Sequence, residues 1–155
     1  MSVTSKPKSP PVIDLTSTGV DVLSPSPDDT DIVIAGTPLH FRLKLSITGL
    51  PFVVAMYLNE PVEIRHHVVQ FETGARKTLG PFKFTTPATV AAAASFHFDT
   101  GPFTTSLNGG GGVFETAAGD DDALYQVVTE MHFTSSSAAN PNCVFDDRNL
   151  AITAP

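Results

Sequence analysis

Five histidines and several runs of aspartate are the residues of this chain that could hold a metal ion. His40, His97 and His132 each fall on the polar side of an alternating segment. Zinc accepts three imidazole ligands, so these residues are candidate zinc ligands if their strands are neighbours. Solvated or cross-strand histidines fit the same positions, and we prefer that interpretation. His66 and His67 point to opposite faces of any regular strand and are not expected to chelate one ion.

Asp120, Asp121 and Asp122 form the densest acidic run, and calcium takes several oxygen ligands from such loops. The run lacks the spacing, the central glycine and the closing glutamate of an EF-hand loop. Aspartate is also common in turns, because its side chain bonds its own backbone. We therefore predict a turn here and keep these three residues as candidate calcium ligands.

Patterns typical of enzymes are missing. Four glycines at 109–112 are followed by no lysine, so they do not make a phosphate-binding loop, and we predict a hairpin tip. No Gly-x-Ser-x-Gly motif occurs. A nucleophilic Cys143 would need a positive environment, but Asp146 and Asp147 follow it. We predict no catalytic residues, no cofactor and no enzymatic activity; an enzyme built from distant residues is the third alternative.

The elements that must carry these side chains are β-strands. Apolar and polar residues alternate through residues 39–48, 62–73 and 123–134, which is the pattern of half-buried strands. Shorter apolar stretches at 52–58 and 88–94 are also predicted as strands. Turn residues recur at short intervals between them. The fold class predicted is all-β, an antiparallel β-sandwich of the Ig-like or jelly-roll kind, over residues 31–155.

The first 30 residues have a different composition, rich in serine and proline. We predict an extended N-terminal arm, 1–30, with one short strand at 12–15. Val12, Ile13 and Leu15 would pair with the sheet edge of a neighbouring subunit through main-chain hydrogen bonds.

Charge limits the partners. The net charge is −7, only nine residues are Lys or Arg, and these do not cluster. Nucleic acid and anionic membranes are therefore disfavoured. No segment approaches the roughly 18 apolar residues of a membrane span, and the N-terminus lacks the apolar core of a secretory signal. We expect no membrane insertion and synthesis in the cytosol.

The leading hypothesis is a structural, self-associating subunit of a filament, ring or shell. Only 16% of residues are charged, which is low for a soluble domain and suits a surface that meets other subunits. The polar face of strand 39–48 carries His40, Arg42 and Lys44, and we predict that it contacts an acidic protein surface. The alternative is a loop-based binding module that depends on calcium or zinc.

Overall fold

A computed structural model describes the backbone of residues 13–134 and 143–155 and the side chains of residues 15–134 and 145–155. The chain is mostly β, with antiparallel sheets, as the sequence predicted. Val12 and the rest of the predicted arm before it lie outside the described residues. No helix within the described ranges is long and apolar enough to cross a membrane.

The first sheet has three strands, β1 (Ile13–Leu23), β3 (Leu39–Gly49) and β6 (Phe96–Phe103), in the order β1-β3-β6. The predicted alternation in β3 is confirmed, since its apolar face is buried and its polar face is half-exposed. The strand near the N-terminus is longer than the predicted 12–15. It pairs within its own chain, with Ile13 opposite Gly49 and Leu15 opposite Ile47.

The second sheet has five strands in the order β2-β10-β9-β4-β5. They are β2 (Ile32–Ile34), β4 (Pro61–Gln70), β5 (Arg76–Thr85), β9 (Asp122–Phe133) and β10 (Cys143–Thr153). The predicted strands 62–73 and 123–134 are confirmed as β4 and β9. β4 ends earlier than predicted because the chain turns at 71–73, where Gly74 N donates to Gln70 O at 2.8 Å.

A third pair, β7 (Thr105–Ser106) and β8 (Phe114–Glu115), is parallel. The hairpin tip predicted at 109–112 is therefore wrong, because a hairpin would join antiparallel strands. The glycine loop instead folds back on a carboxylate. Gly109 N and Gly111 N donate to Glu115 Oε2 at 2.8 and 3.4 Å.

Two apolar stretches predicted as strands are short helices. Residues 52–58 fall in α1 (Pro51–Val54) and a 3-10 helix (Ala55–Tyr57), and residues 88–94 contain α2 (Val90–Ala93). A short stretch that is apolar on both faces does not reveal its period, so sequence alone could not separate the two structures. Pro51 starts α1 at a position that tolerates proline, and Thr89 Oγ1 caps α2 by accepting from Ala92 N at 3.1 Å.

Side chains of the two large sheets meet in one core. The ring of Phe41 on β3 lies 4.8 Å from that of His66 on β4, measured between centroids. Phe84 on β5 stacks on Phe98 on β6 at the same distance, 4.8 Å. These contacts hold the two sheets together and leave the loops at their ends to form surfaces.

Candidate functional site

The outer face of β3 does not offer free cations. Arg42 Nε donates to Asp99 Oδ1 at 2.8 Å and its NH2 donates to Asp99 Oδ2 at 3.0 Å. Lys44 Nζ lies 3.0 Å from Asp21 Oδ1. The hydrogen bond from Arg42 holds the pKa of the Asp99 carboxyl below its ordinary value. These basic groups therefore join β3 to its own neighbours β6 and β1, in ion pairs that are partly exposed.

The structure does not bring the three candidate zinc ligands together. His40 and His97 lie in the three-stranded sheet, whereas His132 lies on β9 of the five-stranded sheet. His97 Nε2 is 4.0 Å from Asp99 Oδ1, and His132 Nε2 is 3.8 Å from Glu63 Oε1. Across residues 13–134 and 143–155, no group of three or more potential ligands surrounds a common point.

The acidic run at 120–122 leads into β9. Its backbone makes turn contacts: Asp120 N donates to Ala117 O at 3.1 Å, and Ala154 N donates to Asp121 O at 2.7 Å. Asp122 O accepts from Ala117 N at 3.1 Å. This arrangement joins the start of β9 to the end of β10, which is a structural role.

A charged network that sequence reasoning missed covers the outer face of β4 and β9. His67 Nε2 lies 2.9 Å from Glu130 Oε1, and Arg65 NH2 donates to Glu63 Oε1 at 3.2 Å. The partners come from two strands whose register the sequence does not reveal; Arg65 faces Glu130 and His132 faces Glu63. The network pairs acids with bases and contains no nucleophile.

His66 is a core residue. Its Nδ1 lies 2.7 Å from Thr129 Oγ1 and its Nε2 lies 2.6 Å from Thr100 Oγ1, so both ring nitrogens have a partner. Burial, with a smaller contribution from the neighbouring charge of His67, lowers the pKa of His66 to about 4. The ring is therefore neutral at pH 7 and joins the two sheets through threonines on β9 and β6.

The outer edge of β1 is occupied by groups of its own chain. Arg148 NH1 donates to Val20 O at 2.9 Å, and its NH2 donates to Thr30 O at 3.0 Å. Val22 N donates to Asp29 Oδ1 at 2.8 Å, and Val22 O accepts from Thr30 N at 2.9 Å. A further strand could not pair with this part of β1 unless these bonds broke.

One end of the two sheets carries two segments without charged residues. β3 and β5 end there, and β4 and β6 begin there, so the connections 50–60 and 86–95 lie at that end, with Glu60 as the last residue of the first. β1 also begins and β9 also ends at this end. The sequence has no Asp, Glu, Lys or Arg in residues 45–59 or 84–98, although the chain is acidic overall. We call the surface formed by 50–59 and 86–95 the uncharged end.

Apolar side chains point into solvent from the uncharged end. Phe52 is 72% exposed, Met56 61%, Leu50 52% and Val90 38%. Phe52 and Met56 are four residues apart in successive helical turns, which places them on one side. Their neighbours Val54 and Tyr57 are buried and anchor the segment.

The opposite end is acidic. Its connections, 24–31, 71–75 and 104–121, contain no Lys or Arg and carry seven carboxylates: Asp28, Asp29, Asp31, Glu72, Glu115, Asp120 and Asp121. Exposed apolar residues occur at this end too: Ile32 and Phe71 are next to Asp31 and Glu72, whereas Leu107 has no charged neighbour in the sequence. The two ends differ in charge rather than in the number of apolar side chains.

Comparisons of the whole chain with protein-family models and with curated proteins found no match.

Proposed function

We propose that this protein is a structural, self-associating subunit of a larger assembly, and that the uncharged end is its main contact surface. The observation that carries the proposal is the grouping of exposed Phe52, Met56 and Leu50 in a segment free of charge. The centres of protein interfaces are depleted in charged residues and enriched in aromatic residues and methionine. An isolated apolar side chain on a surface would need no explanation, but this grouping in a chain of net charge −7 does.

The subunit architecture that we propose is a β-sandwich. Support comes from the hydrogen bond of His66 to Thr100 and from the stacking of Phe84 on Phe98, since each contact joins the five-stranded sheet to the three-stranded one. Such a body is rigid, because its core side chains interlock, and it can present a fixed end surface to a partner.

The contact surface proposed here differs from the arm predicted from sequence. Ile13 and Leu15 pair with Gly49 and Ile47 of their own chain, so they could reach a neighbour only through the outer edge of β1. A longer pairing along that edge would first have to break the bonds that Val20 and Val22 make within the chain. The basic residues of β3 are also engaged with Asp99 and Asp21. The uncharged end needs no such rearrangement.

The test is the mass of the full chain as a function of concentration, measured by sedimentation velocity. We expect association that Phe52→Ser with Met56→Ser weakens by about 30-fold or more in Kd, as truncation of interface anchors does. Phe71→Ser, which removes a 48% exposed ring at the acidic end, is the matched control and should leave Kd unchanged. A wild-type chain that stays monomeric at high concentration would rule out the proposal.

A further inference from the structure

We infer that the partner of the uncharged end is the uncharged end of a second copy, related by a two-fold axis. The inference rests on the proposed function and specifies its geometry. The primary unit of assembly is then a closed pair, with both acidic ends facing outward. A two-fold contact uses the same patch on both subunits and does not propagate by itself, so growth of the pair into a larger assembly needs a second contact.

Desolvation favours contact between like ends. In a head-to-tail arrangement, the uncharged end would cover the acidic end of the next copy, including Asp28, Asp120 and Asp121. The segments 50–59 and 86–95, which the structure describes in full, contain no Lys or Arg to pair with those carboxylates. Burial of unpaired carboxylates is costly, whereas contact between two uncharged ends removes no charge from water.

Repulsion between the subunits favours the same arrangement. β9 is 12 residues long, so the acidic end lies about 40 Å from the uncharged end at ~3.3 Å per residue. In a pair joined at the uncharged ends, the acidic loops of the two copies are separated by many Debye lengths, each about 8 Å at physiological ionic strength. The net charge of −7 per copy therefore opposes this contact only weakly.

A lipid surface is the competing occupant, and the composition of the uncharged end argues against it. Segments that settle at a membrane interface have apolar residues such as Trp, Phe or Leu on one side and lysine or arginine on the polar side, and Trp and Tyr are enriched at the level of the headgroups. The chain has no Trp, Tyr57 is buried, and the two segments contain no Lys or Arg. A second copy fits this surface better, because both sides of the contact then lack charge.

The test uses two double variants with opposite charge, Phe52→Lys with Met56→Lys and Phe52→Glu with Met56→Glu. Both positions are more than half exposed, so the variants should fold, which melting by circular dichroism verifies. We expect each variant alone to raise Kd by about 30-fold or more, since like charges meet across the two-fold axis. Mixing the two variants in equal amounts should restore association as a heterodimer. Phe71→Lys at the acidic end is the control and should associate like the wild type.

Three results would overturn the inference, and only the third would also overturn the proposed self-association. If the lysine variant alone associates more tightly than the wild type, the contact is head-to-tail against the acidic end. If wild type and both variants associate equally, a different surface joins the subunits; self-association then stands, but the uncharged end is not its contact surface. If the wild type is monomeric but floats with phosphatidylcholine vesicles, the end binds lipid and both proposals fail.

Discussion

At the scale of single residues, His66 shows how the sheets tolerate a titratable group in their core. Both ring nitrogens are satisfied by threonine hydroxyls, from Thr129 in its own sheet and Thr100 in the other. A buried polar group with all its partners fixes one arrangement of the surrounding side chains. The same burial makes the charged ring unfavourable, so the folded protein keeps His66 neutral to lower pH than the unfolded chain does.

His66 should make the fold sensitive to mild acid. Its folded pKa of about 4 lies below the ordinary 6.5, so the unfolded chain takes up a proton first, and stability is full above pH 6.5 and declines as the pH falls toward 4. The loss should approach about 3 kcal/mol, at ~1.4 kcal/mol for each pH unit between the two pKa values. Urea unfolding at a series of pH values measures it.

The control for this prediction is His66→Leu. The variant should be less stable at pH 7.5 by about 2 kcal/mol, because two buried hydroxyls lose a partner. Its stability should nevertheless fall less than that of the wild type between pH 6.5 and 4. The pKa of Asp99, lowered below 3.8 by Arg42, affects stability only under more acidic conditions. Parallel curves for variant and wild type would show that His66 does not cause the acid sensitivity.

At the scale of elements, two of the four edge strands of the large sheets, β5 and β6, are interrupted in the same way. Gly80-Pro81 falls where the register of β5 against β4 shifts, and Gly101-Pro102 falls where that of β6 against β3 shifts. In each case two residues of the edge strand oppose one residue of its neighbour, which is a β-bulge. Proline also removes a backbone donor, so these edges are poor templates for another strand. This disfavours association through these two edges, although it does not concern the edges of β1 and β2.

The bulge in β5 depends on Gly80. Its φ is +107°, and an added Cβ would lie 2.8 Å from the backbone oxygen of Ile64. Gly80→Ala should therefore destabilise the fold by about 2–3 kcal/mol, from backbone strain plus the clash. Gly74→Ala is the matched control, with a φ of +69° but no atom within 4 Å of the added Cβ, and should cost about 1 kcal/mol. Chemical denaturation of both variants measures the difference, and equal losses would contradict the role of the close contact.

Arg148 on β10 joins the five-stranded sheet to β1 and to the segment 29–31. Its guanidinium donates to the carbonyls of Val20 and Thr30 and pairs with Asp29 and Asp31. Arg148→Ala should lower the free energy of unfolding by about 2 kcal/mol, because charge-assisted hydrogen bonds and two carbonyl partners are lost. Arg148→Lys should recover little of it, since an ammonium cannot reproduce the planar fork. Full recovery by lysine in urea titrations would show that charge alone matters.

The sequence predicts strands well and their partners poorly. The alternation in residues 39–48, 62–73 and 123–134 predicts strand position and buried face, because a period of two depends only on the strand itself. It does not predict that Arg42 meets Asp99 or that Arg65 faces Glu130, because register depends on distant parts of the chain. Residues 52–58 and 88–94 were misassigned for lack of a readable period. The sequence shows two stretches without charged residues, 45–59 and 84–98, but only the strand topology shows that their connections lie at the same end of the molecule.

At the scale of the whole molecule, antiparallel connection explains why charge separates so cleanly. Consecutive long strands run in opposite directions, so successive connections alternate between the two ends. Connections 50–60 and 86–95 thus share one end, while 24–31, 71–75 and 104–121 share the other. Because uncharged and acidic connections alternate along the chain, the folded molecule is uncharged at one end of its strands and acidic at the other. The uncharged end is therefore suited to burial in an interface, and the acidic end is suited to contact with solvent.

The difference in charge between the two ends predicts how salt affects association. Raising NaCl from about 50 mM to about 500 mM shortens the Debye length to a few ångströms and screens the repulsion between copies that each carry −7. Contact through uncharged ends should therefore become tighter with salt, or stay constant, in sedimentation velocity. Contact through Arg42 and Lys44 with an acidic surface would weaken over the same range, because its attraction would be screened. Weaker association at high salt would therefore indicate contact through Arg42 and Lys44 on β3, whereas constant or tighter association would indicate contact through the uncharged end.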